Sequence, residues 1–268
     1  MTTHPAARPP RATPEGLLWE PSERWVRGTA GDVTVVDSRH PVLVWEPRLP
    51  VPQYAFPREE VRTDLLRPAR HPRTGSHTGS TVLYDLHAGG GPRPNAAWTF
   101  PADDLSGYIA FAWFGRTDTG LDHWYEEDEE IFVHPRDPYK RVDAMPSSRR
   151  VRVGIEGTVV ADSASPVLLF ETSLPTRYYL PREDVRLDLF EAADHSTRCP
   201  YKGTAAAYWS WRGGGAVPPH VVWSYPDPLP AVAAIKDRLA FYNEAVDLTV
   251  DGERLPRPVT PFSAGLRT

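Results

Sequence analysis

The chain has 268 residues, a formal net charge of −5 and a pI near 6.0. That length suits two domains of ordinary size, and the charge excludes a general nucleic-acid binder, which needs a concentrated basic face. One cysteine, Cys199, excludes an intrachain disulfide and a cysteine zinc site.

Residues 1–14 are rich in Pro, Ala and Arg around no hydrophobic centre, so they do not read as a secretory signal, and 1–20 is expected to be a flexible tail. No apolar run approaches the roughly 20 residues of a membrane span, so no membrane partner is expected and the compartment is read as cytoplasmic. Short β-type runs follow at residues 33–36, 42–45, 81–86 and 131–133, then again at 158–160, 167–170, 204–211 and 248–250. Each is rich in β-branched or aromatic side chains and bounded by turn residues. Val61 and Leu65, like Val185 and Leu189, stand four apart after a Pro-Arg-Glu start and predict short helices. Val232, Ile235 and Leu239 predict a longer one after Pro230. The 30 prolines interrupt anything more extended. The fold class is mainly β with short helices.

The chain also repeats. Val35-Val36-Asp37-Ser38 returns as Val160-Ala161-Asp162-Ser163, 125 residues on, and Pro57-Arg58-Glu59 returns as Pro181-Arg182-Glu183, 124 residues on. A period this long is a whole domain. The expected division is a first domain at 21–145, a second at 146–258 and a C-terminal tail at 259–268. The acidic run 126–130 reads as a solvated face. The proline-spaced segment 134–141 reads as a fixed, extended bridge.

The copies differ most where the second reads Cys199-Pro200-Tyr201-Lys202-Gly203 and the first reads Gly75-Ser76-His77-Thr78-Gly79. Gly79 and Gly203 look architectural and the histidine pair His71 and His195 persists, whereas Cys199, Tyr201 and Lys202 look dispensable for folding and so are better candidates for function. Asp37, Glu46, Asp162 and Glu171 occur in both copies and read as fold residues. Among aromatics, Tyr54 matches Tyr179, Tyr84 matches Tyr208, Trp98 matches Trp223 and Phe100 matches Tyr225, while Tyr178, Trp209 and Trp211 belong to the second copy alone. Alternation puts Trp209 and Trp211 on one strand face.

Three functions follow. The leading one is a small-molecule-binding module in the second domain, lined by Tyr179, Tyr201, Trp209, Trp211 and Trp223 and anchored by Lys202 and Arg182. The rival is an enzyme with Cys199 as nucleophile or redox thiol, assisted by His195 or Lys202. The third is a scaffold whose 134–141 segment binds a partner. No metal spacing occurs and no cofactor is expected. The two domains are expected to pack together within one monomeric chain.

Several motifs carry a resemblance: 160–163, 166–172, 178–186, Cys199 to Gly203, Trp223-Ser224-Tyr225-Pro226 and 239–244. Together they resemble the domain-of-unknown-function 427 family, and the stretch 126–139 is similar to the joint in its tandem, bacterial members. The resemblance implies two tandem β-tent-like domains, each with two antiparallel sheets meeting at an angle. It implies no established activity.

Overall fold

The computed structural model describes residues 16–71 except 48 and 50, then 81–100, 103–113, 120–260 and 262–263. The chain forms two compact units, the first ending at Asp137 and the second beginning at Pro138. The divide lies before residue 145 because Val142–Pro146 is a strand that pairs with Val167–Glu171 in the second unit. At the other end, Leu18–Pro21 is a strand paired with Val42–Trp45, so the first unit reaches back into the segment read as a tail.

In the first unit a seven-stranded antiparallel sheet runs Leu18–Pro21, Val42–Trp45, Gln53–Pro57, Tyr108–Phe111, Gly91–Thr99, Leu83–Ala88 and Leu66–Pro68. A four-stranded sheet runs Glu129–Glu130, His123–Glu126, Val26–Ala30 and Val33–Ser38. The second unit repeats both orders. Its long row is Val142–Pro146, Val167–Glu171, Arg177–Tyr179, then Leu239–Phe241, Val222–Ser224, Ala207–Trp211 and Phe190–Ala193. Among the described residues only the Leu180 to Leu239 bridge joins its two parts, so they count as separate sheets of three and four strands. Its other sheet runs Thr158–Ser163, Val151–Ile155, Asp247–Val250 and Glu253–Leu255. A small sheet of Thr197–Cys199, Gly203–Ala205 and Asp227–Pro228 is added. The architecture is mainly β, as expected. The copy-one stretch 73–80, including Thr78 and Gly79, lies outside the described residues.

The expected helices are shorter than the spacing suggested. Each unit has two 3₁₀ turns here, Arg58–Glu60 and Thr63–Leu65, and Arg182–Asp184 and Leu187–Leu189. Val61 and Val185 between them are extended, at φ −120° and −116°, and bridge to Val36 and Ala161. The sheet captures these β-branched residues, which lose little by being extended. Pro230–Ile235 is likewise 3₁₀, broken at Val232 (φ −126°), and Leu239 opens a strand.

Period-two alternation loads both faces of the long sheet. In the first unit, Leu43, Tyr54, Phe56, Ile109 and Phe111 face one core, where the Trp113 and Trp124 rings stack at 4.3 Å. Val42, Val44, Ala55, Trp98, Phe100 and Ala110 face the other. In the second unit, Leu168, Tyr178, Leu180 and Phe241 occupy the first face. Val167, Leu169, Tyr179, Tyr208, Trp223, Tyr225 and Ala240 occupy the second.

Candidate functional site

The strand registers correct the matching of the repeats. Val42 is opposite Ala55 and Leu43 opposite Tyr54. Val167, the counterpart of Val42, is opposite Tyr179, and Leu168 is opposite Tyr178. Tyr54 therefore corresponds to Tyr178, and Tyr179 stands where the first unit has Ala55. In the next pair Trp98 is opposite Leu83, whereas Trp223 is opposite Tyr208. Tyr208 thus replaces Leu83, and Trp209 corresponds to Tyr84. With Tyr225 in place of Phe100, one face of the second unit has gained three hydroxyls.

The Cys199 segment sits over that face. Cys199 and Gly203 are opposite each other in a hairpin, and the Lys202 amide donates to the Cys199 carbonyl at 3.3 Å. Gly203 has φ +93°, and a Cβ there would come within 3.4 Å of the Asp227 carbonyl oxygen, so the turn requires glycine. The Leu229 amide donates to the Lys202 carbonyl and backs the turn from the third strand.

This turn drives Lys202 inward. Its Nζ donates to Glu171 Oε2 at 2.5 Å, and Lys140 Nζ lies 3.1 Å from Oε1 of the same carboxylate. The side chains of Lys202, Glu171 and Lys140 are 13%, 7% and 24% exposed. Strand pairing explains the meeting: Val142 is opposite Glu171, and Lys140 stands two residues before Val142. Two ammonium groups share one carboxylate, which leaves one positive charge in a largely buried place. Burial alone would lower the Lys202 value, but Cys199, Glu171 and Tyr179 reverse this and it is raised. Burial would raise the Glu171 carboxyl, but the two lysines hold it below its ordinary 4.5.

Aromatic groups wall the charges. Tyr179 is fully buried, and its hydroxyl accepts from Trp223 Nε1 at 3.2 Å. Burial pushes the Tyr179 hydroxyl up to about 12 against the opposing influence of Lys202. Tyr225 is also raised, by burial first. Arg177, where the first unit has Gln53, makes a bidentate pair with Glu244 at 2.6 and 2.7 Å and lies 5.8 Å from the Trp223 ring centre. Lys140 approaches the Tyr201 ring at 5.6 Å. Cys199, Tyr201 and Lys140 are partly exposed and form the rim.

The candidate residues divide into separate groups. Tyr179, Trp223, Tyr201 and Lys202 belong together. Trp209 and Trp211 point to the opposite face of their strand, so they do not line one cavity with Tyr179 and Trp223. Arg182 goes with Trp209, its guanidinium 5.3 Å from the ring centre. Trp211 packs on Phe190 and against Gly213. His195 stacks on His220 at 4.1 Å and meets Tyr208 edge-on, and no hydrogen bond joins it to Cys199 among the described residues. Lys140 and Arg177 reach the site through strand register, which no local motif in the sequence signals. Segment 134–141 is built into the fold in part: His134 is buried and Lys140 is engaged, while Tyr139 is 56% exposed.

Fold and site together define a tandem of one mainly-β domain in which the second copy has acquired a buried polar and aromatic cluster. The chain belongs to the family described as Domain of unknown function (DUF427), whose sequence model matches residues 18–126 and 143–252. No curated protein matches the chain. No helix among the described residues is long and apolar enough to cross a membrane.

Proposed function

We propose that the protein is a small-molecule-binding module whose working site is the rim formed by Cys199, Tyr201 and Lys140 over the Lys202–Glu171 pair. The observation that carries this reading is the replacement of Ala55, Leu83 and Phe100 by Tyr179, Tyr208 and Tyr225 on the face beneath the hairpin. The first unit builds the same strand order without these hydroxyls, so folding does not require them. A few convergent polar groups among aromatic walls are what a small-molecule site uses for orientation.

A thermal-shift screen of a chemically mixed library on the full chain tests the proposal. Stabilising compounds should lose their effect in Tyr201→Ala and Lys202→Met and keep it in Trp209→Ala, which alters the opposite face. Hits indifferent to Tyr201→Ala and Lys202→Met, or no hits at all, would overturn it.

The second reading is an enzyme in which Cys199 is the nucleophile and Lys202 its counter-charge, favoured by the hairpin that brings them together, with the Lys202 amide donating to the Cys199 carbonyl at 3.3 Å. His195 is stacked on His220, and among the described residues no hydrogen bond joins it to Cys199. Rapid labelling of the folded protein by iodoacetamide, slowed in Lys202→Met, would support this reading. Slow labelling of both proteins would remove it.

A further inference from the structure

We infer that the ligand of the second unit is a small monoanion, a carboxylate, and that Lys140 from the segment between the repeats is the residue that receives it. The inference rests on the binding reading above and adds the chemistry of the ligand. Its first ground is charge. Lys202 and Lys140 both reach the single Glu171 carboxylate, so the cluster carries one uncompensated positive charge. A monoanion neutralises it, whereas a phosphate dianion leaves an excess of negative charge in a poorly solvated place.

The second ground is access. Lys202 is the more deeply buried lysine. Lys140 is 24% exposed and lies 3.1 Å from Glu171 and 5.6 Å from the centre of the Tyr201 ring, and its ammonium has three N–H donors, more than one carboxylate oxygen engages. An incoming carboxylate can therefore take both remaining Lys140 protons without breaking the Lys202–Glu171 bond.

The third ground is the first repeat. Leu18 and Asp143 hold equivalent strand positions, opposite Trp45 and Phe170, and the same offset of 125 places Glu15 opposite Lys140. In the sequence alignment of the copies Thr78 corresponds to Lys202 and Glu46 to Glu171. Glu15 and Thr78 lie outside the described residues; in sequence, an acid and a neutral residue stand where the second copy has its two lysines. The lysine pair is thus peculiar to the second copy in sequence, and the carboxylate site is assigned there.

Benzoate, benzamide and phenyl phosphate, of similar shape and different charge, test this on the full chain by calorimetric titration in the millimolar range. Benzoate should bind, benzamide should not, and phenyl phosphate should bind more weakly than benzoate. Lys140→Gln should weaken benzoate about ten- to a hundredfold, the loss expected for a charge-assisted hydrogen bond. Lys140→Arg should recover much of it. Equal binding of benzamide, tighter binding of phenyl phosphate, or an unchanged benzoate affinity in Lys140→Gln overturns the inference. If neutral compounds from the screen bind and are lost in Tyr201→Ala while benzoate does not bind, the site stands and the carboxylate assignment falls. If neither benzoate nor any screened compound binds, both fall.

Discussion

Replacing Glu171 by glutamine keeps the shape of the side chain and removes the one negative charge between Lys202 and Lys140. Removing one partner of a buried ion pair typically costs about 3–5 kcal/mol, because the remaining charge is stranded. Here two cations are stranded, but Lys140 is a quarter exposed and water screens part of its share. A loss of about 2–4 kcal/mol is expected for the second unit at neutral pH. For a domain of this size that corresponds to a fall in Tm of roughly 6–15 °C. Urea unfolding followed by tryptophan fluorescence measures it. The pH dependence gives a second check. Glu171 has a folded value below its ordinary 4.5, so its contribution is complete above about 4.5 and disappears as pH falls through the folded value. Wild type should therefore approach the Glu171→Gln variant in acid. A cost below about 0.5 kcal/mol at pH 7, or a gap that persists undiminished to pH 3, would refute the picture of a carboxylate neutralising two buried lysines.

Three further outcomes are expected. Glu244→Gln should destabilise the second unit by about 3–5 kcal/mol in the same assay, because it leaves Arg177, 8% exposed, without its bidentate partner. Gly213→Ala should cost about 1–3 kcal/mol in thermal unfolding, since a Cβ there would meet the Trp211 indole at 2.5 Å. His220 has its value lowered, by burial and then by His195, so its folded form resists protonation. Stability should decline as pH falls below about 6.5, and His220→Asn, which installs the first unit's Asn95, should flatten that decline in pH-dependent melting curves.

The repeat and its β character were legible because turn residues and short β-branched runs recur at a fixed spacing, and both are local signals. Register was not legible. Aligning Tyr54 with Tyr179 matches like residues and is wrong by one, and in a strand a one-residue shift moves every side chain to the other face. That shift concealed Tyr179 as a residue peculiar to the second copy and made Trp209 look like its neighbour. Proximity in the chain misled in the same way for His195 and Cys199, four positions apart, because the histidine ring is held by His220 from a distant loop. Lys140 and Glu171 meet across 31 residues through the register of Val142 on Glu171, which no motif announces. The single apolar edge at Val61 and Leu65 pointed to helix, and the bridge from Val61 to Val36 decided for sheet.

Once the register is set, the second copy's buried tyrosines and lysine gather on one face. Arg177, Tyr179, Tyr208 and Tyr225 replace Gln53, Ala55, Leu83 and Phe100, and Lys202 meets Glu171 and Lys140 on that same side. Buried charges and hydroxyls give less stability than well-packed apolar groups of similar size, even when they are paired. The first unit shows that the strand order closes without these three hydroxyls, over a different buried polar set that includes Glu46, Gln53 and Glu126. A fold that carries such groups without needing them for its architecture has departed from local stability rules, and such departures cluster where a protein works. That is the physical ground for seeking the working site beneath the Cys199 hairpin rather than at the paired motifs, Asp37 with Asp162 or Pro57-Arg58-Glu59 with Pro181-Arg182-Glu183, that make the repeat visible.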